Sequence, residues 1–404
     1  MDRLIAHRSR ALDWSGIRRF SALARSRPGV INLSIGQPDF AVDPRVKAAA
    51  VEAILADRNG YTPNQGVPEL QEALAAVIRA DLGWDCGVIG PASTPTPSSV
   101  IVTTGTSGAL TNAYMALLNP GDEIIIPDPY FVLYPQAATL CDARAVLCDT
   151  YPDFVMTAQR VEPLITPRTK AVLLNTPGNP TGAVASSEHC AQLLDLCRRR
   201  NVLLISDEIY DEFTFAQART ERPAGDLAAL GAFGLTRCPS PARLPDAQRD
   251  VLVVRGFGKT YGMTGWRLGY VAGPTRLIEE LTKIQQYTYV CAPTPLQWAM
   301  LGAFGTDVSA TVARYQARRD RALERLRRVT DVVTPGGAFY VFPRVPERLG
   351  MSGREFCEAA AARGVVIIPG GVFSTRDTHV RISLAAPDGD LDRGIDTVVS
   401  LMGA

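Results

Sequence analysis

Lys259 sits in the stretch VLVVRGFGKTYGMTGWRLGY, residues 251–270, where Gly258-Lys259-Thr260 looks like the end of a phosphate-binding loop. Such a loop reads G-x-x-x-x-G-K-[ST], because its glycines let successive backbone N–H groups curl around phosphate. Counting back from Gly258 puts Val253 where the first glycine belongs, inside the run Val251-Leu252-Val253-Val254 that predicts a buried strand. The spacing excludes that loop and leaves the amine to be explained. Other chemistry-bearing groups follow apolar runs of the same kind. Ser206-Asp207-Glu208-Ile209-Tyr210 offers a carboxylate and a phenol, and the turn from Asn175 to Gly182 presents the Asn179 amide. Gly105-Thr106-Ser107 lies in a glycine turn that opens a helix, where free N–H groups and the dipole can hold an anion. Pro129-Tyr130-Phe131 supplies aromatic faces, and Arg267 stands eight residues beyond Lys259.

Competing chemistries find little support. Eight cysteines include no C-x-x-C pair, so zinc ribbons and thioredoxin-type redox motifs are not indicated. Cys190 and Cys197 are spaced to share one buried helix face, and the thiols read as small hydrophobes. The three histidines, His7, His189 and His379, lack metal-ligand spacing, which argues against metal hydrolysis and a Ser-His-Asp mechanism. Lys+Arg 42 against Asp+Glu 41 gives a net charge of +1, without the basic excess of a nucleic-acid binder. No apolar run approaches the ~20 residues of a membrane span. Charges scattered through MDRLIAHRSRALDWSG leave no apolar signal core, so a cytoplasmic protein is predicted.

The elements that must position these groups alternate along the chain. Strand-like runs at 100–103, 123–126, 145–147, 171–174, 202–205, 251–254 and 268–272 are separated by helical patterns such as 70–80, 109–118 and 188–200. Several runs are continuously apolar, as strands covered on both faces require. This predicts an α/β domain with a mostly parallel seven-stranded sheet flanked by helices, whose ligands sit beyond the carboxyl ends of the strands. At 404 residues, with 46% apolar and 21% charged, the chain exceeds one ordinary core, and two domains are expected. Past Pro274, long helices at 278–303 and 309–329, a hairpin-like piece at 335–342, a helix at 354–363, strands at 365–368 and 380–384, and a closing helix at 391–402 read as a smaller α+β unit. The predicted division is 44–305 for the large domain and 1–43 with 306–404 for the small one. Residues 216–250 read as a long loop between core strands, either influencing access to the site or forming a plain surface insertion.

Singly, each chemical group has a plain structural alternative: a helix cap, a solvated lysine, a turn, a core aromatic. Together they fall at one end of one sheet. An anion cradle, an aromatic plate, an acid, a phenol, an amide and an amine describe a site for a planar, phosphorylated cofactor with a reactive carbonyl, and pyridoxal 5′-phosphate fits that description. The sequence also resembles the class I aminotransferases of the pyridoxal-phosphate fold-type I superfamily, with motifs like those of broad aspartate/aromatic members. The resemblance covers nearly the whole chain. It rests on Leu33-Ser34-Ile35-Gly36-Gln37-Pro38-Asp39-Phe40, Tyr61-Thr62-Pro63-Asn64-Gln65-Gly66, Asn179-Pro180-Thr181-Gly182, Asp207-Glu208-Ile209-Tyr210, Lys259 followed by Met263-Thr264-Gly265-Trp266-Arg267-Leu268-Gly269, and Val380-Arg381-Ile382-Ser383.

The resemblance implies roles. Lys259 forms the Schiff base with the cofactor aldehyde and shuttles the α-proton. Asp207 pairs with the pyridine nitrogen, Tyr210 and Asn179 with the ring oxygen, and Phe131 stacks on the ring where relatives often carry Trp. Arg267 with Gly105, Thr106 and Ser107 holds the phosphate, and Arg381 grips the substrate α-carboxylate, for which a guanidinium fork is suited. Gly36 brings backbone next to the substrate. Tyr61 reaches the phosphate of a neighbouring subunit, which implies a homodimer with shared sites. The implied reaction moves an amino group from an L-amino acid to a 2-oxo acid. β-Elimination of a carbon–sulfur bond or side-chain cyclisation could use the same site. The aminotransferase-like module of a transcription regulator would need a DNA-binding domain, and the segment ahead of Ile31 is too short for one. Gly258 departs from the serine common before the lysine, removing a possible phosphate hydroxyl. Arg18, Arg19 and Arg144 are candidates by type for a distal substrate carboxylate.

Overall fold

The structure is a computed structural model, and it describes residues 2–18, 20, 29–90, 93–220 and 238–404. Its centre is an eight-stranded sheet in the order β2-β3-β9-β8-β7-β6-β4-β5. The strands are β2 (Cys86–Gly87), β3 (Ser98–Thr103), β4 (Glu123–Asp128), β5 (Arg144–Asp149), β6 (Thr169–Asn175), β7 (Leu203–Asp207), β8 (Val251–Gly256) and β9 (Gly269–Pro274). The seven long strands coincide with the seven apolar runs. The eighth, β2, is a two-residue edge strand that pairs with β3 and has no apolar run to announce it. Only β9 is antiparallel to its neighbours.

Alternation along each buried strand divides its side chains between two cores. Val100, Val102, Val251 and Val253 join the core packed by Leu70, Leu74 and Ile78 of helix Pro68–Leu82 and by Cys190, Leu193 and Cys197 of helix Ser187–Arg200. Ile101, Leu252 and Val254 join the opposite core, with Ala109 and Leu110 of helix Gly105–Leu117 and Ile278 and Leu281 of helix Thr275–Thr288. Helices thus cover both faces, which is why the strands read as continuous apolar runs. All eight cysteines are free.

Beside this sheet, β1 (Ile31–Asn32) pairs in parallel with β11 (Val365–Val366), and β10 (Tyr340–Val341), β13 (Val380–Ser383) and β12 (Ile368–Pro369) form a three-stranded antiparallel sheet. Two expectations change here. The helix expected over 278–303 is two, Thr275–Thr288 and Thr294–Leu301, because Val290 takes a positive φ of 65° and Pro293 cannot continue a helix. Residues 335–342 do not make a hairpin of their own. Gly336 and Gly337 both donate backbone N–H bonds to the Gly182 carbonyl, Gly337 forms an isolated bridge with Thr214, and Tyr340–Val341 pairs with β13.

The long 216–250 segment lies partly outside the described residues. Its described end does not float: Ala242 and Ser240 are buried, and Arg243 bonds Asp81 in a bidentate pair at 3.0 and 2.9 Å. Among the described residues, no helix is long and apolar enough to cross a membrane.

Candidate active site

The parallel strands β3, β4, β6, β7 and β8 end at one edge of the sheet, and β9, running the other way, begins there. Arg267, two residues before β9, is thereby brought to the edge where Asp207 ends β7 and where Gly105 and Lys259 follow β3 and β8. A cavity of about 290 Å³ opens at this edge. It gathers Gly36, Gly105, Thr106, Ser107, Phe131, Asn179, Asp207, Tyr210, Lys259, Arg267 and Arg381. Tyr61 is not among the lining residues; its side chain is 88% exposed on the surface. Arg381 comes from β13 of the smaller sheet, and Gly36 from the segment after β1.

The acid is buried and held on two sides. Tyr134 donates its hydroxyl to Asp207 Oδ2 at 2.8 Å, and the Ile209 backbone N–H donates to Oδ1 at 3.2 Å. Burial nevertheless pushes the Asp207 carboxyl up to about 6, above the ordinary carboxylate range. Lys259 moves the other way. Burial, followed by the positive fields of Arg381 and Arg267, pushes its amine down to about 7. Its Nζ donates to the Gly36 carbonyl. An acid shifted up and an amine shifted down in one cavity mark groups prepared to exchange protons near neutral pH.

A polar chain joins the acid to the deep arginine. Asn175 Nδ2 donates to the Asp207 carbonyl at 3.0 Å, the Asn179 N–H donates to Asn175 Oδ1 at 2.9 Å, and Arg381 Nη1 donates to Asn179 Oδ1 at 3.0 Å. Arg381 is 1% exposed and lies 4.6 Å from the Tyr340 ring centre and 4.7 Å from that of Phe373. Its Nη2 donates to the Ser34 carbonyl at 2.7 Å, while its Nε is buried without a hydrogen-bond partner. Tyr340 also meets Tyr210, their hydroxyls 2.9 Å apart. Among the described residues, Arg267 and Arg381 form no ion pair within 4 Å, so two guanidiniums of the cavity are left without a carboxylate partner.

Arg267 and Gly105 meet at another corner of the cavity. Helix Gly105–Leu117 has no side-chain cap at its start, which leaves first-turn N–H groups free. Gly105 has φ +68°, and a Cβ there would stand 2.7 Å from Arg267 Nη2. Arg267 itself holds φ 56°, rare for a residue with a side chain and common at functional sites. Gly105→Ala is expected to cost about 1–3 kcal/mol of stability through strain and displacement of Arg267. Gly121→Ala is the control, with φ +83° but no atom within 4 Å of its added Cβ. Thermal unfolding that lowers the two melting temperatures equally would show that the Arg267 contact is inconsequential.

Behind the site lies a buried charge network. Arg255 of β8 bonds Glu208 Oε2 at 2.9 Å and Asp81 Oδ2 at 2.8 Å, and Ser240 and Ser206 donate to Glu208 Oε1. It ties the turn carrying Asp207 and Tyr210 to the strand leading to Lys259. Among the described residues, no cluster of His, Cys, Asp or Glu could hold a metal ion.

Several lining residues escaped the sequence reading: Ile17, Tyr134, Asn175, Ile209, Thr264, Leu268 and Tyr340. Tyr134 lies three residues after Phe131, in the first turn of helix Leu133–Leu140, and its ring stands edge-on to Phe131 with centroids 5.7 Å apart. Tyr340 carried no comparable local signal. Of the cationic candidates for a distal carboxylate, Arg144 opens β5 at the opposite end of the sheet and faces Glu123 at 3.7 Å. Arg18 is exposed and does not line the cavity, and Arg19 lies outside the described residues.

Comparison with known proteins agrees with this geometry. The family model "Aminotransferase class I and II" matches residues 28–398. A probable N-acetyl-LL-diaminopimelate aminotransferase of Bacillus subtilis is 36% identical, over 98% of this chain and 95% of its own. Aromatic-amino-acid aminotransferase 2 of Thermococcus litoralis is 31% identical, over 96% of this chain and 95% of its own. The structure of aspartate aminotransferase from Thermus thermophilus with maleate superposes with a TM-score of 0.85 at 33% identity, covering 98% of this chain and 99% of that one. Fold, length and family model agree along almost the whole chain, and it belongs to the class I and II aminotransferases, as an enzyme that transfers an amino group between an amino acid and a 2-oxo acid.

Proposed function

We propose that this aminotransferase works with pyridoxal 5′-phosphate held in the cavity at the carboxyl edge of the sheet, as a cytoplasmic homodimer. The observation that carries the reading is the Lys259 amine, brought down to about 7 in the same cavity as the buried Asp207 carboxyl. The residues present suit such a group: an uncapped helix start and a glycine cradle beside Arg267 for a phosphate, and a buried acid for a ring nitrogen. When bound, the cofactor supplies an aldehyde for the amine and a ring that takes up electrons.

The chain's residues would divide the remaining work. Asp207, kept in place by Tyr134 and the Ile209 N–H, would hold a proton at the ring nitrogen. Tyr210 and Asn179 would hydrogen-bond the ring oxygen, and Phe131 would offer its face to the ring. Arg267 with the N–H groups of Gly105, Thr106 and Ser107 would bind the phosphate. Arg381, whose buried Nε has no partner, would grip the α-carboxylate beside Asn179 and the Gly36 backbone. Lys259 Nζ would take the proton from the donor's α-carbon and return it to the acceptor's. Tyr61, exposed here, would reach the phosphate of a neighbouring subunit. The same reading divides the chain into a large domain, 44–305, and a small one, 1–43 with 306–404, the latter supplying Arg381.

The relatives' names differ in their amino acids, and the substrate reading remains the broad aspartate/aromatic class. Protein loaded with cofactor and mixed with each amino acid, without oxo acid, should lose its visible absorption band stably with the preferred donor and form the matching oxo acid. Release of pyruvate and ammonia with return of the band would overturn the reading in favour of elimination.

The amine's shift adds a pH test. A protonated amine cannot attack an aldehyde, so capture of the cofactor by the cofactor-free protein should slow as pH falls through about 7. A midpoint near the ordinary lysine value of 10.5 would contradict the assignment.

A further inference from the structure

A second cavity, of about 650 Å³, lies away from the first, where the segment after β5 meets β10 and β13. Its wall is aromatic. The rings of Phe342 and His379 stack with centroids 5.0 Å apart and 12° between planes, and Tyr151 and Phe154 stand 5.3 and 5.6 Å from the His379 ring. Two guanidiniums flank that wall. Arg376 lies 4.5 Å from the Tyr151 ring centre, and Arg344 pairs with His379 across the antiparallel ladder.

Neither arginine is firmly engaged. Arg376 meets Asp149, whose side chain is 57% exposed, and Arg344 meets Glu347, 81% exposed. Ion pairs at that exposure contribute little and exchange readily. The Arg344 Nε is buried and has no hydrogen-bond partner. Two acids also line the cavity: Asp153 is taken by Arg160 at 2.6 Å, and Asp331 is exposed. Burial, then Arg344 and Arg376, push the His379 imidazole down to about 4, so at neutral pH it is an uncharged aromatic wall in a positive field.

We propose that this cavity is a second ligand site, taking a small aryl carboxylate whose ring lies on the Phe342–His379 wall and whose carboxylate bridges Arg344 and Arg376. Apolar walls with a few convergent polar groups are the usual make-up of a small-molecule site, and guanidinium is the side chain suited to a carboxylate. The site is independent of the cofactor reading. It is not remote from the first cavity in the chain: Phe342 and Tyr340 lie two residues apart, as do His379 and Arg381, on two paired strands. Phe342 and Phe373 share one apolar cluster, and Arg381 rests on Phe373.

The test is an NMR titration of holoenzyme carrying isotope-labelled histidine, with benzoate as the probe. The chain has three histidines, so His379→Asn assigns the signal. A saturable shift of the His379 ring resonances is expected, with a Kd on the order of 1 mM, and acetate or benzyl alcohol should bind at least about 10-fold more weakly. Arg344→Gln with Arg376→Gln should weaken benzoate at least about 10-fold. The single Arg376→Gln, on the exposed rim, gives the same reading should the double variant fold poorly. The shift should survive in Arg381→Gln. No saturable shift, equal affinity in the arginine variants, or loss of the shift in Arg381→Gln, which would place benzoate in the first cavity, would each overturn the proposal.

Discussion

Lys259→Ala is expected to lower kcat for transamination by about 10⁴-fold or more, the largest effect of any single substitution in the chain. A positioned acid–base group contributes about 10²–10⁴-fold, and this side chain is assigned nucleophilic work in addition. Alanine removes the one amine that lines the cavity. The Asp207 carboxyl would not replace it, because Tyr134 and the Ile209 N–H hold it in the place where it is assigned to the ring nitrogen. Single-turnover absorbance with the preferred donor measures the effect directly. Added methylamine should restore part of the rate, which separates loss of the amine from loss of the fold. A variant that keeps more than about one part in a hundred of the activity would remove Lys259 from the mechanism.

Arg381→Ala should raise KM for the amino acid by about 10²–10³-fold, equivalent to about 3–4 kcal/mol, with a smaller effect on kcat. The guanidinium is almost wholly buried, and its fixed contacts are the neutral Ser34 carbonyl and Asn179 Oδ1. Held so, it has lost its hydration already, which makes a bidentate carboxylate a strong partner. Truncation also leaves those two acceptors without their donor, adding to the loss. Arg381→Lys keeps the charge and should recover only part of the affinity, because an ammonium lacks the planar fork. There is a second signature. Arg381 is, after burial, the largest influence holding the Lys259 amine down, so its removal must raise that pKa. The pH at which cofactor capture slows should therefore move upward in Arg381→Ala. A KM within about 3-fold of the parent, with an unmoved pH profile, would place the carboxylate grip elsewhere.

The parts of this chain legible without a structure share a physical basis. The seven long strands of the central sheet announce themselves because strands covered on both faces must be apolar at every position, as Val251–Val254 and Ala171–Leu174 are. The groups after those strands, Asp207, Lys259, Asn179 and Gly105 to Ser107, are legible because strands that run parallel end together. The single helix expected over 278–303 fails for a local reason: its apolar spacing continues through Val290, while a positive φ there and Pro293 divide it.

Contacts between distant parts of the sequence were not legible. Tyr134 and Asp207 are 73 residues apart, and Asn179 and Arg381 are 202 apart. No local pattern encodes such pairs, because they exist only once helices have packed on the sheet. Read alone, the sequence is enough for the seven long strands, the alternation that makes an α/β sheet and the chemical groups at its carboxyl edge, since these follow from side-chain periodicity and turn residues. Packing in three dimensions is what makes β9 run backwards and deliver Arg267, brings Arg381 in from a separate sheet, and lowers the Lys259 amine to about 7 through burial beside two guanidiniums. Desolvation and the field of neighbouring charges depend on distances through space, and those are set by packing.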